Sequence, residues 1–151
     1  MGTTYVRAEL RRLVSARADH LCEYCLIHAD DTFFGCEVDH IVSEKHGGAT
    51  SLDNLAYACL LCNRSKGSDI ASVTPGTGEL VRFFNPRTDR WRDHFRLATD
   101  GITIESLTAI GEATSRILGF NDRERLSERQ AMYQVNRYPT PAARQRILGG
   151  G

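Results

Sequence analysis

The chain of 151 residues has the length of one domain with a sizeable core; 41% of it is hydrophobic, 25% is charged, and the formal net charge is zero. That composition excludes a disordered or fibrous protein, and no apolar run approaches the roughly 18 to 20 residues of a membrane span. The opening stretch MGTTYVRAELRRLVSARADH interleaves charge with apolar side chains and lacks the apolar core of a secretory signal, so a cytoplasmic protein without a membrane partner is expected.

In chain order, Val6, Leu10, Leu13, Val14 and Ala18 follow helical spacing, with Arg7, Arg11 and Arg12 on the other side. The pattern predicts an amphipathic helix from Tyr5 to about Asp19. FFGCEVDHIV, Phe33 to Val42, is rich in aromatic and β-branched residues and reads as a strand ending near His40. SEKHGGATSLDN follows as a loop marked by Gly47 and Gly48. LAYAC, Leu55 to Cys59, is a second short strand, and CNRSKGSD opens a short helix. SVTPGTGE is turn chemistry, after which LVRFF and HFRLA read as strands, the second leading to a hairpin signal at Asp100 and Gly101. Leu107, Ile110, Ala113, Thr114, Ile117 and Leu118 fit a helix. Asn121, with Glu124 three residues on, predicts the cap of another, and the terminal LGGG is expected to fray. His94 falls in the HFRLA strand and reads as structural.

Two features stand out from this order. The first is a bias within the neutral charge balance, since only Lys45 and Lys66 of the 19 basic residues are lysines. Arginine suits bidentate phosphate contacts, so the concentrations at Arg7 to Arg17, Arg82 to Arg96 and Arg123 to Arg146 read either as nucleic-acid-facing surfaces or as solvated faces. The second is cysteine: four of the five lie in two CxxC pairs, Cys22 with Cys25 and Cys59 with Cys62. Two such knuckles complete a tetrahedral zinc site, which has no open position and is therefore structural. Redox pairs and disulfides are the competing readings. His20 and His28 lie near enough to substitute as ligands, though each reads more simply as a surface or capping histidine. Cys36 reads as a buried thiol.

The stretch VDHIVSEKHGGATSLDNLAYACLLCNRSKG places an Asp-His pair at a strand end, a glycine-rich loop, an Asn before a Leu, and a CxxC followed by Asn. This order resembles the HNH endonuclease family in its zinc-stapled form, most closely from about Cys22 to Lys66. FFNPRTDRWRDHF, residues 83–95, is similar to a tail carried by a subset of bacterial HNH proteins. The resemblance implies an α+β chain with a ββα-metal core, an N-terminal helix, and C-terminal strands and helices. It implies one domain over 1–151, with a nuclease core at 20–70 and an extension at 79–148 packing on that core.

The implied chemistry is metal-dependent hydrolysis of phosphodiester bonds in DNA. His40 would serve as general base, because an imidazole titrates near neutral pH. Asp39 and Asn63 would supply oxygens to a hard cation such as Mg2+ or Mn2+. Asn54 joins the catalytic set as the residue that holds the loop. Neighbouring residues on a regular strand point to opposite faces, so Asp39 and His40 address one phosphate only if the strand ends there. Asn63 departs from the His often found at its position; an amide oxygen is the harder ligand and favours Mg2+ or Mn2+ over Ni2+ or Zn2+. Arg64 and Lys66 are placed for backbone phosphates, while Lys45 and His46 either touch a phosphate or line a solvated loop.

Two other classes compete with an endonuclease. One is a zinc-stapled nucleic-acid-binding module with a silent centre, which would need no Asp39, His40 or Asn63. The other is an interaction domain organised by the knuckles. Nucleic-acid binding weakens steeply with salt, whereas an apolar protein interface does not. The sequence leaves open whether the C-terminal helices form a homodimer, from which paired cuts on a duplex would be easier.

Overall fold

The computed structural model describes residues 6–149. The first helix runs over Ala8–Arg17 (α1); Tyr5, where the helix was expected to begin, lies outside the described residues. Val14 and Ala18 are buried, one turn apart, whereas Leu13 is 49% exposed, contrary to expectation. Leu13 lies about 100° round the helix from Val14, outside a buried stripe that is only one residue wide. The Arg17 guanidinium donates to the carbonyls of Leu52 (2.8 Å) and Leu55 (2.7 Å), fixing the end of α1 to the strand it covers.

Cys36–His40 (β1) and Leu55–Cys59 (β2) pair antiparallel, with Cys36 opposite Cys59 and His40 opposite Leu55. Leu60–Lys66 (α2) follows at once, capped by the Cys59 sulfur, which accepts from the Cys62 backbone N–H. The expected strand over Phe33–Val42 is therefore shorter at its start. Phe34 and Gly35 hold left-handed φ values of 68° and 66°, a turn that cannot continue a ladder and leaves Phe33 and Phe34 exposed. Glu23, between the first two cysteines, extends the hairpin: its N–H donates to the Tyr57 carbonyl (2.8 Å) and its carboxylate accepts from the Tyr57 N–H (2.9 Å).

Downstream, Ala71–Val73 (β3) pairs with Leu80–Arg82 (β4), and Phe95–Leu97 (β5) pairs with Ile104–Ser106 (β6) across the Asp100-Gly101 turn. Phe83 and Phe84, expected in the LVRFF strand, lie beyond the end of β4. His94 is helical, closing the short turn Trp91–His94 (α3), and its ring bonds the Thr108 hydroxyl at 2.7 Å. Ala109–Leu118 (α4) is capped by Thr108, whose hydroxyl accepts from Gly111, and ends at Gly119 with φ 67°. Arg123–Gln134 (α5) starts one residue later than expected, with Asp122 at the cap. Asn121 does not cap it, because its carboxamide is spent on both backbone groups of Ile104 and on Arg129. Pro141–Leu148 (α6) is capped by Thr140 with proline in its first turn and Gly149 at its end, a start and stop pattern not read from the sequence. Gly150 and Gly151, expected to fray, lie outside the described residues.

The described residues thus form an α+β structure of helices and three two-stranded antiparallel sheets. Phe95 sits at the centre of an aromatic cluster with Phe84, Trp91 and Phe120, with ring centroids 5.1 to 5.5 Å apart. Such tilted and edge contacts add about 0.5–1.5 kcal/mol each beyond the area they bury. The cluster is continuous with the buried cysteines. Polar contacts join the same regions: Trp91 Nε1 donates to the Tyr24 carbonyl (2.8 Å), Tyr138 OH to the Cys25 carbonyl (2.9 Å), and Arg87 pairs with Glu23. No helix among the described residues is long and apolar enough to cross a membrane.

Candidate active site and metal centre

Two knuckles bring Cys22, Cys25, Cys59 and Cys62 together, all buried, with their sulfurs within 4.8 Å of one another. Within each knuckle the backbone N–H of the second cysteine faces the sulfur of the first at 3.5 Å. Cys25 Sγ and Cys59 Sγ are 3.8 Å apart. A tetrahedron with Zn–S bonds of about 2.3 Å has edges of about 3.8 Å, so the cluster fits zinc with all positions filled. Crowding argues for a cation as well. Hydrogen bonding with Cys22 pushes the Cys59 thiol up and burial pushes Cys62 up, while bonds from Cys22 and the other thiols hold Cys25 well below the usual range. A divalent ion would allow all four to ionise. His28 is no ligand: its Nδ1 accepts from the Asp30 N–H at 3.0 Å and caps the turn Ala29–Asp31. His20 is exposed, and Cys36 is half-buried rather than buried.

Asp39, His40 and Asn63 line one cleft of about 730 Å3, with Arg11, Arg12 and Ser15 of α1 as its other wall. The geometry follows from where β1 stops. His40 is its last residue, so Asp39 and His40 reach the cleft at the strand end, while α2 brings Asn63 up beside them. His40 Nε2 lies 2.9 Å from the Thr50 hydroxyl, leaving Nδ1 as the other ring nitrogen. Burial pushes the Asp39 carboxyl up, against the pull of Lys66. Its Oδ2 is buried and makes no hydrogen bond among the described residues, with Lys66 Nζ 3.5 Å away. A carboxylate and a carboxamide lining one cleft are donor types that a hard cation such as Mg2+ or Mn2+ takes, with the Lys66 ammonium as the present partner of Asp39.

The loop that carries Thr50 is closed by Asn54. Its Oδ1 accepts from the Val42 N–H (3.0 Å), and its Nδ2 donates to the carbonyls of Val42 (2.9 Å) and Ala49 (2.8 Å). Asn54 is thus a tether at the base of the loop, and Gly48 lets it close. A Cβ on Gly48 would stand 1.7 Å from the Val42 oxygen and 2.7 Å from Asn54 Nδ2. Gly48→Ala is expected to destabilise by about 1–3 kcal/mol as the backbone moves to relieve the overlap. An unchanged thermal midpoint would count against this close approach.

The basic residues divide. Lys45 and His46 occupy the exposed turn Glu44–His46, and Arg64 is exposed on α2; none of the three lines the cleft. Lys66, expected at phosphates, is a correction. It is 2% exposed, and its ammonium donates to the His40 carbonyl (3.2 Å) beneath β1. Its reach is used inside the hairpin and leaves nothing for solvent. The spacing from Asn63 to Lys66, three residues on a helix, is the signal that puts both on one face. Arg11 and Arg12 were visible as the polar side of α1, but no pattern linked them to Asp39. Thr50 carried no signal at all.

A β-hairpin and a helix, closed by a four-cysteine centre suited to zinc and opening on an Asp-His-Asn cleft, define a ββα-metal domain. Residues 22–69 match the family model described as HNH endonuclease, and that span, holding both knuckles, β1, β2 and α2, is an HNH domain. No curated protein and no solved structure matches the chain.

Proposed function

We propose that the protein is a metal-dependent endonuclease that hydrolyses phosphodiester bonds in DNA. The observation that carries this reading is the convergence of Asp39, His40 and Asn63 on one cleft whose facing wall holds Arg11 and Arg12. In the tautomer whose Nε2–H donates to Thr50, His40 Nδ1 carries the lone pair, set to take a proton from water as its oxygen bonds to phosphorus and the bridging oxygen leaves. Asp39 and Asn63 would hold the divalent cation, which when bound would stabilise the charge on the phosphate and on the departing oxygen. Asn54 keeps the loop, and with it Thr50, in register with His40. Arg11 and Arg12 supply the positive wall along which a phosphate backbone lies.

The test is supercoiled plasmid incubated with zinc-loaded protein in Mg2+, in Mn2+ and in EDTA. Nicking or linearisation that EDTA abolishes supports the reading. No cleavage in either metal, with plasmid binding that weakens steeply as salt rises, would replace it with a silent nucleic-acid-binding module.

A further inference from the structure

Arg125 of α5 is a buried cation outside the cleft, 2% exposed. One terminal nitrogen, Nη2, donates to Cys62 Sγ at 2.9 Å and lies 3.8 Å from Cys59 Sγ. The other, Nη1, donates to the Leu118 carbonyl (2.8 Å) and lies 3.4 Å from that of Gly119, at the C-terminal end of α4. Among the described residues no carboxylate pairs with Arg125, so the cysteine sulfurs are its anionic partner. A buried guanidinium without an anion is costly, and so is a buried cluster of four thiolates around one divalent ion, whose negative charge exceeds that of the ion.

From this pairing we infer that Arg125 is a positioning residue of the four-cysteine metal centre: it offsets the thiolate charge and makes metal binding and the docking of α4 and α5 one event. An N–H···S bond to a ligating sulfur keeps that sulfur oriented and lowers the cost of its charge, as outer partners of metal ligands generally do. The carbonyls at the end of α4 are satisfied by the same side chain. Coupling of this kind is reciprocal, so whatever α5 contributes to metal affinity the metal returns to α5. The inference stands on the cysteine centre alone and is independent of the nuclease reading.

Zinc competition against a chromophoric chelator tests it, on the full chain and on Arg125→Met, Arg125→Lys and Arg123→Met. Arg125→Met should lower zinc affinity about 10- to 100-fold. Arg125→Lys, which keeps the charge, should recover part of that loss. Arg123→Met, which removes an exposed charge from the same helix, should match the parent. Wild-type affinity in Arg125→Met, no recovery in Arg125→Lys, or an equal loss in Arg123→Met would each overturn the assignment. Amide hydrogen exchange on the unaltered protein serves if the methionine variant does not fold. Stripping the metal should expose the α5 amides in step with those of Cys25 and Cys62, and protection of α5 that survives the opening of the knuckles would overturn the coupling.

Discussion

Replacing His40 with alanine is expected to slow single-turnover cleavage by about 10²- to 10⁴-fold while leaving zinc content and the thermal transition unchanged. The separation arises because the His40 side chain sits at the open end of β1, outside the packed core, and its ring bonds one group, the Thr50 hydroxyl. The metal-binding oxygens of the proposed site come from Asp39 and Asn63, so the variant should still take up the divalent cation. Thr50→Val should give a smaller loss of the same kind, since it frees the ring without removing it. Single-turnover plasmid nicking, read beside zinc stoichiometry and a melting curve, makes the measurement. Full-rate cleavage by His40→Ala would end the assignment of the base and send the search to the other groups of the cleft.

Cys59→Ser should have the larger structural effect, abolishing the cooperative transition of the domain instead of slowing a reaction. Structural zinc sites of this kind contribute on the order of 10 kcal/mol to the fold they close, comparable to the whole stability of a small domain. Cys59 carries more than a ligand: its sulfur caps α2, its backbone ends β2 opposite Cys36, and it lies within reach of Arg125. A serine hydroxyl can accept the capping bond but is a poor zinc ligand. Circular dichroism and metal analysis decide the matter; a native-like melt at full zinc content would show that the Cys59 sulfur is dispensable to the centre.

Much of the centre was legible because it is local. The two CxxC spacings, β2, and the Asp-His pair at a strand end are short patterns whose geometry follows from a few consecutive residues. The strand at Leu55–Cys59 matched its apolar run from end to end. What failed did so through long-range partners. Asn121 has the chemistry of a helix cap, yet Ile104 and Arg129 claim its carboxamide first. Lys66 has the charge of a phosphate contact, yet the fold turns it under β1 to Asp39 and the His40 carbonyl. Arg125 lay in a charge-rich stretch that reads as a nucleic-acid-facing or a solvated surface, and nothing nearby announces two sulfurs more than sixty residues away. His94 was displaced from strand to helix end by Thr108, a partner fourteen residues on.

The hold on the first knuckle also orders events in time. A ribosome that has added Lys66 has made every cysteine ligand, the hairpin and α2, with Tyr57 already in place to hold Glu23, but not the later groups that fasten CEYC: Arg87 on Glu23, Trp91 on the Tyr24 carbonyl, Tyr138 on the Cys25 carbonyl. Ion capture during synthesis is therefore expected to begin on a pair framed by the hairpin alone and to tighten as these later residues arrive. For the same reason the segment 22–69, cut out and grafted elsewhere, is expected to hold its first knuckle less firmly. An engineer who moves it must carry the fasteners along or rebuild them in the new host.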